Sequence, residues 1–278
     1  MQIRGKTYNF AANSIYSVKV KEVLSALEQF APLPLQEDWD NAGLQIGLTE
    51  AEVSGALLCL DVTEAVVTEA VDRQCNLIVS HHPLLFRGLK RISGSSDVER
   101  AVMKAISHGI AIISMHTNMD NAWGGVNCKI AEKIGLQQVQ LFACKQVGNV
   151  QGGSGVTGLL PQPMDAEAFI AHVKRIFAVE CAQCNELLKR PIQRVALCGG
   201  AGDFLLEQAI AAGADAFITG EMHYHVYAGH EQQVQICVIG HYQSEQYTAE
   251  IFREILNRQC PEVPVHLSKS NVNPIIYK

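Results

Sequence analysis

Short apolar runs alternate with amphipathic helical segments along most of this chain, and that alternation predicts an α/β protein with mostly parallel sheets. A glycine-rich stretch over 146–163 interrupts the pattern before it resumes, which predicts two α/β domains. Several apolar runs also end in histidines and carboxylates, at the C-terminal strand edges where open α/β sheets hold ligands.

The spacing of Val20, Val23, Leu24, Leu27 and Phe30 predicts a helix over 18–31, stopped by Pro32. A polar and aromatic loop follows, from Glu37 to Gly43. Next come a strand at 57–61, a helix at 63–74 and a strand at 77–80 halted by Pro83. A helix at 97–108, with Asp97 as N-cap and Gly109 past its end, leads to a strand at 110–115. The glycine-rich stretch reads as a linker or as the hairpins of a second unit. A helix near 165–177 precedes strands at 195–198 and 216–219. Gly199, Gly200 and Gly202 resemble a phosphate-cradling turn, although the full dinucleotide spacing is absent. A strand at 236–240, a helix at 244–258 and an edge-like strand at 263–267 close the chain.

Composition narrows the function. The chain has 278 residues, 48% hydrophobic and 18% charged, as in a folded soluble protein with a sizeable core. No apolar stretch approaches the ~20 residues that span a bilayer. Residues 1–17 read as an N-terminal extension without the apolar region of a signal peptide. Nine cysteines then read as reduced, mostly core residues of a cytoplasmic protein, Cys59, Cys198 and Cys237 among them. Cys181 and Cys184 have CxxC spacing, but no second pair completes a zinc site. A net charge of −6 argues against a dedicated nucleic-acid binder.

The chemistry concentrates in a few residues. His81 and His82 follow the strand at 77–80, Asp120 follows the strand at 110–115, and His241 with Glu245 follows the strand at 236–240. Imidazole and carboxylate suit Zn, Fe, Mn or Ni. Five protein ligands exceed what one catalytic ion takes, and adjacent histidines diverge, so two divalent ions are expected, one imidazole of the pair on each. Glu245, one helical turn past His241, is the expected bridge. His108, His172 and His266 lack ligand-type neighbours and read as packing or capping residues. His223, His225 and His230 form a looser cluster near Glu221. Because the first and last thirds share the ligand set, 18–145 plus 223–278 reads as a metal-binding domain, and 146–222 as a second α/β domain.

Five motifs then stand together: Asp38-Trp39-Asp40-Asn41-Ala42-Gly43-Leu44-Gln45, Ser80-His81-His82-Pro83, His116-Thr117-Asn118-Met119-Asp120, Thr219-Gly220-Glu221 with His225, and Gly240-His241-Tyr242-Gln243-Ser244-Glu245. In them the chain resembles the Nif-three-like family, whose members often carry the name GTP cyclohydrolase 1 type 2 homologue. The resemblance runs from about Val18 to the C-terminus. It implies a dinuclear centre on His81, His82, Asp120, His241 and Glu245, in a two-domain α/β fold assembled as a toroidal homohexamer. Some relatives carry an inserted domain, which the short interval between Asp120 and His241 leaves no room for.

The reaction implied is metal-assisted hydrolysis, with activated water attacking the imidazole carbon of the guanine ring of GTP and formate leaving. His116 or His225 would move protons, since histidine ordinarily titrates near neutrality. A two-metal phosphoesterase, with Arg87, Lys90 and Arg91 holding phosphates, and a non-catalytic metal-binding protein that interacts with a regulator are the alternatives.

Overall fold

The computed structural model describes residues 17–278, so the extension expected over 1–17 lies outside it except for Ser17. The chain first forms α1 (Val20–Phe30), β1 (Gly43–Ile46), β2 (Ala56–Cys59), α2 (Glu64–Asp72) and β3 (Leu77–Ser80). It continues through α3 (Asp97–Ser107), β4 (Ala111–Ser114), α4 (Thr117–Asn121) and α5 (Val126–Ile134). The glycine-rich region is not a linker. It is the hairpin of β5 (Gln137–Val147) and β6 (Val150–Met164), followed by α6 (Ala166–Phe177), β7 (Gln183–Cys184) and β8 (Ile192–Ala201). The remainder is α7 (Leu206–Ala211), β9 (Ala216–Glu221), β10 (Gln235–Val238), α8 (His241–Glu245), α9 (Thr248–Gln259) and β11 (Val265–Leu267).

These strands build two sheets, ordered β1-β4-β3-β2-β11 and β5-β6-β8-β9-β10-β7. In the first, β11, β2, β3 and β4 run parallel and β1 closes one edge antiparallel. In the second, β8, β9 and β10 run parallel, and the hairpin and β7 pair antiparallel.

Alternation along the strands explains the layers. Leu58, Val79 and Ile113 face a core that continues to Val195, Leu197 and Ile218 of the second sheet, through the apolar sides of α1, α5 and α9. Their neighbours Leu57, Ile78 and Ile112 pack outward against α2 and α3. Ala196, Phe217 and Ile236 pack outward against α7. Both faces of each sheet are therefore covered, which is why β3 and β10 read as continuous apolar runs.

Three expectations need correction. Strand β10 pairs with β9 and β7 of the second sheet, so the segment leading to His241 does not belong with 18–145, and β5 likewise starts the second sheet at Gln137. Within the C-terminal third only α9 and β11 return to the first sheet's side, β11 pairing with β2. In the second sheet β8, β9 and β10 are successive parallel strands, whereas in the first the outer sides of β2 and β4 are taken by β11 and β1. The helix expected at 244–258 is two helices, α8 and α9. The N-cap of α3 is Ser96, whose Oγ accepts from the Glu99 N–H at 3.2 Å, rather than Asp97.

Past β11 the chain returns over α2. Glu69 accepts hydrogen bonds from Ser268 Oγ at 2.7 Å and from the amides of Lys269 and Ser270 at 2.9 Å each. Asn271 Oδ1 accepts from the amides of Leu60 and Asp61 at 3.1 and 2.8 Å. Burial works to raise the Glu69 carboxyl, but these donors bring it down to about 2. A carboxyl lowered in the folded state stabilises above its ordinary value of 4.5, and that stability is lost as pH falls toward 2. Glu69→Gln is expected to cost about 1–3 kcal/mol at pH 7 and to flatten the acid side of the stability profile, read by urea unfolding between pH 7 and 3.

Candidate metal centre

Three strand-end segments from the two sheets meet at one point. His81 and His82 follow β3, Asp120 sits on α4 after β4, and His241 and Glu245 lie on α8 after β10. The ligand positions expected at C-terminal strand edges thus lie at a junction between two sheets. Gly240, at φ +97°, turns β10 directly into α8, so His241 and Glu245 share a face at i and i+4.

Glu245 is the centre of the arrangement, only 3% exposed. Its Oε2 lies 3.0 Å from His82 Nε2 and 3.0 Å from His241 Nε2. Its Oε1 faces His81 Nε2 at 3.8 Å, and His81 Nε2 is 3.6 Å from Asp120 Oδ1. The adjacent histidines therefore reach opposite oxygens of one carboxylate. Two ligand sets follow, His82 with His241 and Glu245, and His81 with Asp120 and Glu245; His81, His82 and His116 form a third close group.

Each imidazole is oriented from behind, which fixes the nitrogen left for a ligand. His81 Nδ1 donates to the Met115 carbonyl at 2.8 Å. His82 Nδ1 donates to Asp61 at 2.7 Å, and His241 Nδ1 lies 3.2 Å from Glu221 Oε1. His116 Nδ1 donates to Asp40 Oδ1 at 2.7 Å, while the Thr117 amide and hydroxyl donate to Asp40 Oδ2. Sequence reasoning did not assign Asp61 or Asp40 a role. Asp61 had a readable signal, since it ends an apolar strand just as His81 does.

Charge balance fits a cation. Burial opposes charge on His82 and His241, yet Asp61 and Glu245 push His82 up to about 10 and Glu245 raises His241. Burial lowers His81. Burial would raise Glu245, but the imidazoles hold it well below the usual carboxylate range. Asp120 goes the other way, raised by burial and by the charge on Glu245. His81 Nε2 and Asp120 Oδ1 are buried and have no hydrogen-bond partner among the described residues. Buried polar atoms are normally satisfied, so two orphans facing one another fit residues that could hold a metal ion.

The other expected site residues lie apart. His225 is exposed on a short turn, its ring edge-on to Tyr224. His223 pairs with Asp203, and His230 is 3.6 Å from Glu207. His108 and His172 donate to the carbonyls of Lys104 and Ile134. All nine cysteines are free, with Cys181 exposed and Cys184 opposite Cys237 across β7 and β10. Arg87, Lys90 and Arg91 are exposed.

The cavity over the cluster has a volume of about 700 Å³ and is lined by His82, His116, Asp120, His241 and Glu245 together with Trp39, Phe86 and Phe204. Gly199 and Gly200 border the cluster in a different role from the expected phosphate turn. Gly200 has φ +61°, its amide donates to Ser244 Oγ at 3.0 Å, and a Cβ there would collide with Glu245 Oε1.

The description Duf34/NIF3 (NGG1p interacting factor 3) matches residues 18–274. The chain belongs to the DUF34/NIF3 family. Within it, a Clostridium acetobutylicum protein named GTP cyclohydrolase 1 type 2 homolog is 31% identical over 269 residues, covering 94% of this chain and 100% of the relative. A Campylobacter jejuni protein of the same name is 30% identical, with 94% and 100% covered. A solved Staphylococcus aureus protein superposes with a TM-score of 0.87 at 27% identity, over 94% of this chain and 100% of the other. A Bacillus cereus protein related to NIF3 gives 0.83 at 26%, covering 94% and 99%. A Staphylococcus epidermidis homologue aligns over 370 positions, more than this NIF3 chain contains, so it carries an insertion absent here.

Gly200→Ala is expected to lower stability by about 1–3 kcal/mol. Gly213→Ala, at φ +73° with open space around it, should cost only the backbone part of that loss. Urea unfolding of both variants isolates the collision with Glu245.

Proposed function

We propose that this protein is a metal-dependent hydrolase with a dinuclear divalent centre that acts on a nucleotide, as the name of its relatives implies. The observation that carries this reading is the convergence of the unpartnered His81 Nε2 and Asp120 Oδ1 on a carboxylate whose other oxygen meets His82 and His241. His82, His241 and Glu245 would hold one ion, and His81, Asp120 and Glu245 the other. Bound there, such ions lower the pKa of water and polarise an electrophile.

The chain's own groups do the rest. Asp61, Glu221 and the Met115 carbonyl keep three imidazoles aimed inward. His116 lines the cavity, and its bond to Asp40 leaves Nε2 to take or give a proton on a bound molecule. Burial opposes charge on Asp40, but His116 and Thr117 hold it at about 2, so it stays an anion that orients His116 at working pH. The exposed place of His225 supports no such role within one chain. A cytoplasmic location is part of the same proposal, and no described helix is long and apolar enough to cross a membrane. The same family reading includes a homohexameric ring, expected by light scattering at six times the 30.4 kDa of the chain.

Elemental analysis is expected to find two divalent ions per chain, of Zn, Fe, Mn or Ni. Asp61→Asn should weaken metal affinity about 10- to 100-fold. Loaded protein should hydrolyse GTP or another member of a nucleotide panel, and His82→Ala, still folded by circular dichroism, should lose that turnover. Loaded wild-type protein that leaves every nucleotide intact overturns the hydrolase reading.

A further inference from the structure

We propose that the cavity beside the histidine cluster binds a planar, uncharged heterocycle, stacked on an aromatic wall, and makes no ionic grip on a phosphate chain. The proposal rests on the hydrolase reading only in taking this cavity as the substrate site.

The wall is the observation. Trp39, Phe86 and Phe204 line the cavity and remain 61%, 44% and 63% exposed. Large rings left in water at a concave site mark a surface that something else covers. They come from both halves of the molecule: Trp39 from the loop before β1, Phe86 from the loop after β3, and Phe204 from the turn after β8.

The wall is also built in advance. The rings of Trp39, Phe86 and His116 meet edge to face in a closed triangle, with centroids 5.9, 6.0 and 6.2 Å apart. Behind them, Asn41 Nδ2 donates to the Leu85 carbonyl at 2.8 Å and Gln45 Oε1 accepts from the Leu85 amide at 3.2 Å, tying the two loops together. Rings fixed in this way lose little freedom when a flat ligand stacks on them.

Charge supplies the second half. Among the described residues no Lys or Arg lines the cavity, whereas Asp120, Glu245 and Glu37 do, the last paired with Lys145 Nζ at 3.0 Å. A polyphosphate would find no lining guanidinium or ammonium there, and the His82 and His241 imidazoles are already engaged with Glu245 at 3.0 Å each, unlike the usual cationic cradle. Thr117, Asn121 and Ser154 instead offer hydroxyl and amide groups, which suit the polar edge of a neutral heterocycle.

The test uses the full chain stripped of metal, titrated calorimetrically with guanosine and, separately, with tripolyphosphate. Guanosine is expected to bind saturably, and tripolyphosphate not at all. Trp39→Ala should weaken guanosine about tenfold or more, and Trp39→Phe should retain most of the affinity. The proposal is overturned if guanosine does not bind or if Trp39→Ala leaves its affinity unchanged. Tripolyphosphate binding to metal-free protein as tightly as guanosine would overturn it too. So would a change in assembly mass in Trp39→Ala without any nucleoside binding, which assigns the rings to a contact between proteins. Metal content is measured on the same samples. Wild-type protein that takes up no metal but still binds guanosine refutes the dinuclear reading and leaves the stacking inference standing.

Discussion

A buried carboxylate that must stay ionised governs this structure. Glu245 sits where the C-terminal ends of two sheets face one another, with almost no access to water. An isolated anion in that position would be costly enough to protonate or to disrupt packing. It stays charged because imidazoles from β3 and from its own helix surround it. The contact between the sheets is thus polar around this point, where Asn127 also joins the Asp120 and Ser154 carbonyls to the Gly199 amide, and apolar through the shared core of α1, α5 and α9.

Around that anion the charges form shells of alternating sign. The imidazoles carry or share protons, and behind them stand Asp61, Glu221 and Asp40. Asp120 faces His81, whose charge burial opposes, and burial together with the charge on Glu245 pushes its carboxyl well above the usual range. A divalent cation would relieve that conflict directly, replacing protons on the imidazoles and removing the repulsion between the two carboxylates. The backbone that presents them turns at Gly240 and Gly200, whose positive φ values only glycine adopts readily.

Much of this was legible in the sequence because it depends on local periodicity. Leu77-Ile78-Val79-Ser80 is buried on both faces and ends where the two histidines begin, so strand and ligand positions announced each other. The interval from His241 to Glu245 is one helical turn, readable without coordinates. Sheet membership was not readable. The run ending at Val238 looks the same whichever sheet it joins, and its choice of β9 over the first sheet is a long-range matter of which edges are free. Strand β1 was hidden because Gly43-Leu44-Gln45-Ile46 lacks the composition of a strand, pairing with β4 at an edge through an irregular register. The β5–β6 hairpin was obscured by Gly152, Gly153 and Gly155. These glycines are there because neighbouring chain, including the Asn121 carbonyl and the Phe142 ring, fills the space of a side chain.

The hydrogen bonds from Leu60 and Asp61 to Asn271 join the outermost C-terminal segment to the carboxylate behind His82. Asp61 and His82 lie 21 positions apart in the chain, whereas Asn271 lies 210 positions past Asp61. The carboxylate that orients His82 is therefore itself held by a contact of far longer range than the one it makes. Unfastening the chain at Asn271 would release the Leu60 and Asp61 amides and loosen the support behind His82 without touching the imidazole itself.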